Sequence, residues 1–348
     1  MAARGGVSYA FELLVLSLAT AQAAYLQPWA DASGIERSCA VGRSPVHGCR
    51  GLVAKRGEPV LRVPSQLTIS VAREQEGDDA HRGDWLTYLS LRLAEEMQAG
   101  PSSPHAAFVR SLPAPPHGPH RWRTEELDSL QNATLVREAH KRAELRRESF
   151  ARVAGRTDVP RQTYERAWEL VASRAVGARG VRGLRGERLL LVPYLDMANH
   201  AHGVGGQLSF DPRSGDVTLL AGTDLEAGDE VLLDYGEGRC NSEFLLQYGF
   251  VPSHNPHDRT TVQLANGATE TIGWGDARTA APEVRAACER TLSEMPTSLA
   301  EDAAELAGGG ARGTHAVALG YRVAKKALLS AVAGHAASSA ATSAFALM

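Results

Sequence analysis

Two stretches decide how this sequence folds: V-P-Y-L-D-M-A-N-H-A-H at Val192–His202, and L-D-Y-G-E-G-R-C-N-S-E-F-L-L-Q-Y-G-F-V at Leu233–Val251. The first continues the apolar run Leu189-Leu190-Leu191-Val192, which reads as a buried strand. Asp196, Asn199 and His200 then crowd polar groups into a place where a core would hold none. Such groups need partners to offset their desolvation, and a bound polar ligand is one such partner.

Working outward, Val217–Leu220 and Glu230–Leu233 read as further strands, with Asp211-Pro212 and Glu226-Ala-Gly-Asp229 as turns. Upstream, Arg50–Ser70 carries short β-branched runs broken by Gly57 and Pro64, which predict two or three short strands. Between Asp84 and about Gly177 the apolar spacing changes to three and four residues, as in W-L-T-Y-L-S-L-R-L-A-E-E-M and L-V-R-E-A-H-K-R-A-E-L-R-R-E-S-F. Those are helices, separated by the loop L-P-A-P-P-H-G-P, and Tyr164–Val176 supplies another. The order is β, helical, β, so a helical insertion interrupts one β system. Beyond it the pattern predicts an all-helical region, with a capping box at Ser298 and Glu301 and a long amphipathic helix from about His315 to His335.

The 348 residues exceed one comfortable core, since single cores stop growing near about 250–300 residues. Thirty-seven Lys and Arg against 40 Asp and Glu give a net charge of -3, which argues against a nucleic-acid binder and for a protein partner. Cys39, Cys49, Cys240 and Cys288 form no Cys-x-x-Cys pair or zinc-spaced cluster, so no structural metal is expected. A Cys39–Cys49 disulfide is open in an oxidising compartment. Residues 1–24 have a leader layout: Arg4, the apolar run F-E-L-L-V-L-S-L-A, then Ala21-Gln22-Ala23. The alternative is an amphipathic first helix. The apolar run falls short of the ~20 residues that span a bilayer, so no membrane insertion of the mature form is expected.

The Asp196-Met-Ala-Asn199-His200 segment and the Asp234-Tyr235-Gly236 to Tyr248-Gly249-Phe250 segment resemble the two SET-domain motifs, and in particular those of the Rubisco large-subunit lysine methyltransferase branch. Gly100-Pro-Ser-Ser, the stretch Arg121–Leu135, Thr297–Asp302 and Gly320-Tyr321-Arg322 extend the likeness over nearly the whole chain after Tyr25. The resemblance implies an α+β fold: a SET-domain β fold over 25–258 with knot-like threading and a helical insertion at about 80–180. A helical substrate-binding domain over 259–337 and a flexible tail at 338–348 follow. It also implies a protein-lysine N-methyltransferase using S-adenosyl-L-methionine, with a lysine side chain of a protein as acceptor.

By the same resemblance Tyr235 is the catalytic residue. Arg50, Gly51, Leu52, Arg174, Asp196, Asn199, His200, Tyr235 and Phe250 contact the cofactor, Arg174 through its carboxylate, while Val176 and Tyr248 line the acceptor pocket. No metal takes part. Three departures stand out: Cys49 interrupts the family's Gly-x-Gly turn in Gly48-Cys49-Arg50-Gly51, Ala72 replaces an expected Glu with Glu74 the nearest substitute, and Val176 is smaller than its usual counterpart. They keep two alternatives open, a protein-histidine N-methyltransferase and an inactive peptide-binding module. The leader implies a secretory route and a plastid destination; without it, the cytoplasm or nucleus is expected.

Overall fold

The computed structural model describes residues 26–45, 49–54, 60–71, 84–178, 188–204, 206–211, 213–236 and 238–334. The leader and tail, with Gly48, Gly57, Ala72 and Glu74, lie outside the described residues. The chain divides into two compact units, 1–115 with 146–235 and 116–145 with 236–348.

Among the described residues, the first unit holds three small sheets. One runs β1 (Glu36–Arg37), β4 (Leu61–Val63), β10 (Val217–Leu220), β9 (Gln207–Phe210), all antiparallel. A second runs β2 (Cys39–Arg43), β3 (Arg50–Ala54), β11 (Glu230–Leu233), β8 (Asn199–His200). In it β11 pairs antiparallel with β3 and parallel with β8, Leu232 opposite Asn199 and Leu233 opposite His200. The third runs β5 (Ile69–Ser70), β7 (Arg188–Leu191), β6 (Val176–Ala178). Leu52, Leu61, Val63, Ile69, Leu191, Leu219 and Val231 point into one core. Helices α2 (Trp85–Ala99) and α6 (Arg161–Arg174) add Leu89, Leu93, Tyr164 and Trp168 to it.

The second unit is built on α7 (Asn241–Tyr248), α8 (Pro282–Glu294), α9 (Leu299–Ala307) and α10 (Gly313–Ala333). The Ser298–Glu301 capping box is present: Ser298 Oγ accepts from the Glu301 N–H at 3.2 Å, and Glu301 Oε2 accepts from the Ser298 N–H at 2.7 Å. Leu328, Leu329 and Val332 of α10 bury against Val284 and Cys288 of α8.

Four expectations need correction. Residues 259–337 are not all helical, because β12 (Arg259–Gln263) and β13 (Thr269–Gly273) form an antiparallel hairpin. Its cause was readable: Gly267 adopts φ +85°, and Asn266 Oδ1 accepts from the Ala268 N–H at 2.9 Å, the turn chemistry an Asn-Gly pair favours. Val176 is a strand residue and not the last turn of a helix, since Ala175 turns extended (ψ 137°) and Val176 pairs with Leu190. The β system starts earlier than Arg50, at β1 and β2. Cys39 and Cys49 are not joined by a disulfide, as β2–β3 pairing sets Cys39 opposite Ala54 and Arg43 opposite Arg50, sending the two thiols to opposite ends of the ladder.

No helix among the described residues is long and apolar enough to cross a membrane.

Candidate active site

The parallel β8–β11 pair brings the two deciding stretches together. His200, buried at the end of β8, lies 5.2 Å from the Tyr235 ring, centroid to centroid. The Tyr235 N–H reaches His200 Nδ1 at 3.2 Å, and the Tyr235 hydroxyl donates to the Ala198 carbonyl at 2.8 Å. That bond fixes the phenol against the Asn-His segment and leaves the oxygen's lone pairs directed away from its own proton.

Asn199 is held from three sides. Its Nδ2 donates to Glu230 Oε1 at 2.7 Å and to the Arg50 carbonyl at 3.0 Å, with Cys49 Sγ at 3.6 Å. Glu230 is buried and also accepts from the Ser44 hydroxyl. Gly51 makes this packing possible: a Cβ there would stand 2.6 Å from Glu230 Oε1 and 2.9 Å from Asn199 Nδ2. Neither Glu230 nor Ser44 is singled out by the sequence, because a Glu starting a strand and a lone Ser carry no spacing signal. Burial and Glu230 together push the Cys49 thiol up.

Arg174, Asp196 and Arg50 form a charged floor. Arg174 Nη1 lies 3.2 Å from Asp196 Oδ2 and also donates to the Asp196 carbonyl oxygen, while Arg50 Nη1 donates to the Ser111 carbonyl at 3.0 Å. Burial pushes the Asp196 carboxyl above its ordinary value, and Arg174 and Arg50 pull it back only in part. Burial also lowers Arg50, with Asp196 working against it. Among the described residues, Asp196 Oδ1 and Arg174 Nε are buried without a hydrogen-bond partner. Two arginines against one carboxylate leave net positive charge. Tyr194, just before the Asp196 turn, is held at φ +66°, a strained value for a residue with a Cβ.

Leu52 is fully buried, and Val176 is half-buried in β6. Tyr248 and Phe250 belong to the second unit. There they pack with Phe244, ring centroids 5.8 Å (Phe244–Tyr248) and 5.6 Å (Phe244–Phe250) apart, and the Arg239 guanidinium lies 5.9 Å from the Tyr248 ring. Two cavities adjoin the first unit's elements. One of about 370 Å³, lined by Tyr88, Arg92, Glu95 and His105 among others, contains none of the candidate site residues. Another of about 240 Å³ reaches Glu230 from the β10–β11 side. Volume alone does not mark a site; the unsatisfied polar atoms of the Arg174–Asp196 floor are the stronger indication.

In solved structures the same arrangement of elements recurs. The SET domain of LSMT bound to lysine and AdoHcy superposes with a TM-score of 0.70 at 20% identity over 90% of each chain. Rubisco LSMT bound to AdoMet gives 0.70 at 19% identity, over 90% of this chain and 91% of that one. The fold is that of a SET domain. No protein-family model matches the sequence. Among curated proteins, this SET-fold chain is 25% identical over 241 residues to the chloroplastic Rubisco large subunit N-methyltransferase of Nicotiana tabacum, covering 62% of this chain and 48% of that protein. It is 28% identical over 181 residues to the mouse actin-histidine N-methyltransferase, covering 48% and 30%. The chain thus spans about half the length of the Rubisco methyltransferase it matches.

Proposed function

We propose that this protein is an S-adenosylmethionine-dependent protein-lysine N-methyltransferase. The observation that carries the reading is the meeting of Asn199-His200 with Tyr235 along one parallel strand pair, beside a floor of net positive charge with unsatisfied buried atoms. The residues present fit the methyl donor. Arg174 and Arg50 suit its carboxylate, and Arg174 Nε is a buried donor awaiting an acceptor. Gly51 lets backbone approach closely where any side chain would collide with Glu230 and Asn199. Asn199 and His200 carry its amino-acid end and adenine, much of it through backbone groups. Leu52 walls the cradle and Asp196 orients Arg174.

When bound, the donor supplies an electrophilic methyl on a positively charged sulfur. The chain's task is then alignment and water exclusion, which lower a barrier by several kcal/mol without covalent help. Tyr235 is the catalytic residue: its hydroxyl, tethered to Ala198, presents oxygen lone pairs toward the transferring methyl and the attacking amine. A lysine amine, ordinarily near pKa ~10.4, must arrive unprotonated, and an apolar channel beside a sulfonium lowers that value. We carry Tyr248 and Val176 as acceptor-pocket residues and Phe250 as an adenine or wall contact on the resemblance alone. Knot-like threading of the two segments, a split SET domain over 25–258 and a substrate-docking region over 259–337 belong to the same proposal, supported by the parallel β8–β11 pair. The chloroplastic Rubisco relatives support a plastid setting.

A histidine acceptor is the second reading, favoured by the likeness to actin-histidine methyltransferase and by the small Val176. Methyl transfer from labelled S-adenosylmethionine into cell extract, with mass spectrometry of the modified residue, decides between them: lysine supports the proposal and histidine replaces it. Tyr235→Phe should cut turnover by about a hundredfold or more. Unchanged turnover removes Tyr235 from its role.

A further inference from the structure

Beside the candidate active site, the first unit holds a cluster that shares His200 with the proposed donor site and adds His202 and Asp234, which the proposed chemistry does not use. His200, His202 and Asp234 each offer a ligand atom, and these atoms lie within 4.8 Å of one another. We propose that they bind a divalent transition-metal ion, Zn²⁺ first, and that its binding opposes the geometry needed at Tyr235.

The local fold sets the two imidazoles side by side. His200 ends β8, the chain turns through Gly203 at φ +69°, and residues two apart at a strand end share a face. Their Nε2 atoms face each other at 3.2 Å, with the rings perpendicular. At that distance one nitrogen must carry a proton and the other a lone pair. A metal ion replaces that proton. Two nitrogens at about 2.1 Å from zinc and 3.2 Å from each other subtend about 100°, within reach of a tetrahedral site. Asp234 is the third member: one ligand atom of each of the three residues lies within 4.8 Å of the others, and its partly exposed carboxylate, whose Oδ1 stands 4.0 Å from the Nδ1 side of the His200 ring, must swing toward the Nε2 atoms to complete the set. Two imidazoles and one carboxylate suit zinc and its neighbours, with the fourth position left to water.

The coupling to Tyr235 comes from the other nitrogen of His200. Nδ1 lies 3.3 Å from the Leu233 carbonyl and 3.2 Å from the Tyr235 N–H. It cannot serve both, because the first contact requires Nδ1 to carry a proton and the second requires it not to. Metal on Nε2 moves the proton to Nδ1, where it bonds the Leu233 carbonyl, the usual outer contact of a ligating histidine. The Tyr235 N–H then loses His200 Nδ1 as an acceptor. Metal and the working arrangement of Tyr235 are thus mutually unfavourable, and by linkage each weakens the other.

Metal binding stands on the cluster alone, whereas the opposition to methyl transfer rests on the function proposed above. The test uses the full chain with Co²⁺ as a visible probe and Zn²⁺ as competitor. One equivalent of Co²⁺ should bind with the absorption bands of a tetrahedral nitrogen–oxygen site, and Zn²⁺ should displace it. His202→Ala and, as a milder change, His202→Asn should each weaken binding by about tenfold or more, with the thermal midpoint retained. Absence of saturable Co²⁺ uptake, or wild-type affinity in both variants, overturns the site. Zn²⁺ should slow methyl transfer in the wild type and leave it unchanged in His202→Ala; a bound Zn²⁺ without that effect overturns the coupling. If S-adenosylmethionine fails to bind at all, the functional reading falls while the Co²⁺ result is read independently.

Discussion

Two buried carboxylates, each set among cations, show opposite electrostatics. In the second unit, Asp302 has both oxygens filled: Oδ1 accepts from Arg322 Nη2 at 2.6 Å and Thr297 Oγ1 at 2.8 Å, and Oδ2 accepts from Lys326 Nζ at 2.6 Å and Arg322 Nε at 3.0 Å. Burial alone would raise its pKa, but the Arg322, Lys326 and Thr297 bonds outweigh it and hold the carboxyl below its ordinary value. In the first unit, Asp196 keeps one oxygen bare among the described residues, its Arg174 partner keeps a bare Nε, and burial wins. The first arrangement is a finished internal network. The second is unfinished in the way a ligand-binding floor is, with polar groups held ready at some expense in stability.

The largest expected effect separates the two by stability. Asp302→Ala strands Arg322 and Lys326 in the interior and should destabilise by about 3–5 kcal/mol, read by chemical denaturation. Asp196→Ala should cost less, because its oxygens are fewer in use. Equal losses would erase the contrast.

Next in size is binding. Arg174→Ala should weaken S-adenosylmethionine affinity by about 10–100-fold, the worth of a charge-assisted bond to a carboxylate. Arg322→Ala, measured the same way on protein that remains folded, should leave affinity unchanged. Gly51→Ala comes third. Its Cβ would push on Glu230 and Asn199 and should destabilise by about 1–3 kcal/mol, while Gly203→Ala meets nothing within 4 Å and bears only its φ penalty.

The smallest effect is in pH dependence, and its sign differs between the two. The Asp302 pKa is depressed on folding, so its stabilisation is present above the ordinary value of 3.8 and is lost as pH falls through the folded value. The Asp196 pKa is raised, so the folded state holds an extra proton above pH 3.8, and stability falls as pH rises toward the folded value. Unfolding measured across this range should show Asp302→Asn flattening the acid limb and Asp196→Asn flattening the opposite slope. Matching slopes would contradict the assignment.

The sequence carried the strand runs at Val217–Leu220 and Glu230–Leu233, the Ser298 cap and the α10 helix because each rests on local periodicity or spacing. It missed what depends on distant pairing. Strand β8 is only two residues long and exists because β11 lies beside it. Glu230 matters because folding sets it against Asn199, 31 positions earlier. His202 carries no spacing signal of its own; β8 and β11 set Asp234 near the histidine pair. The hairpin at β12–β13 is the opposite case: Asn266-Gly267 is a local turn signal, but the capping box at Ser298 and the long helix after it dominate the pattern of that region.

One titration tests the central claim most directly. S-adenosylmethionine added in a calorimeter to the wild-type chain should bind one-to-one, weaken sharply with Asn199→Ala, and hold nearly unchanged with Tyr235→Phe. No saturable heat with folded wild-type protein would mean that Asn199, His200 and Tyr235 meet around nothing but one another.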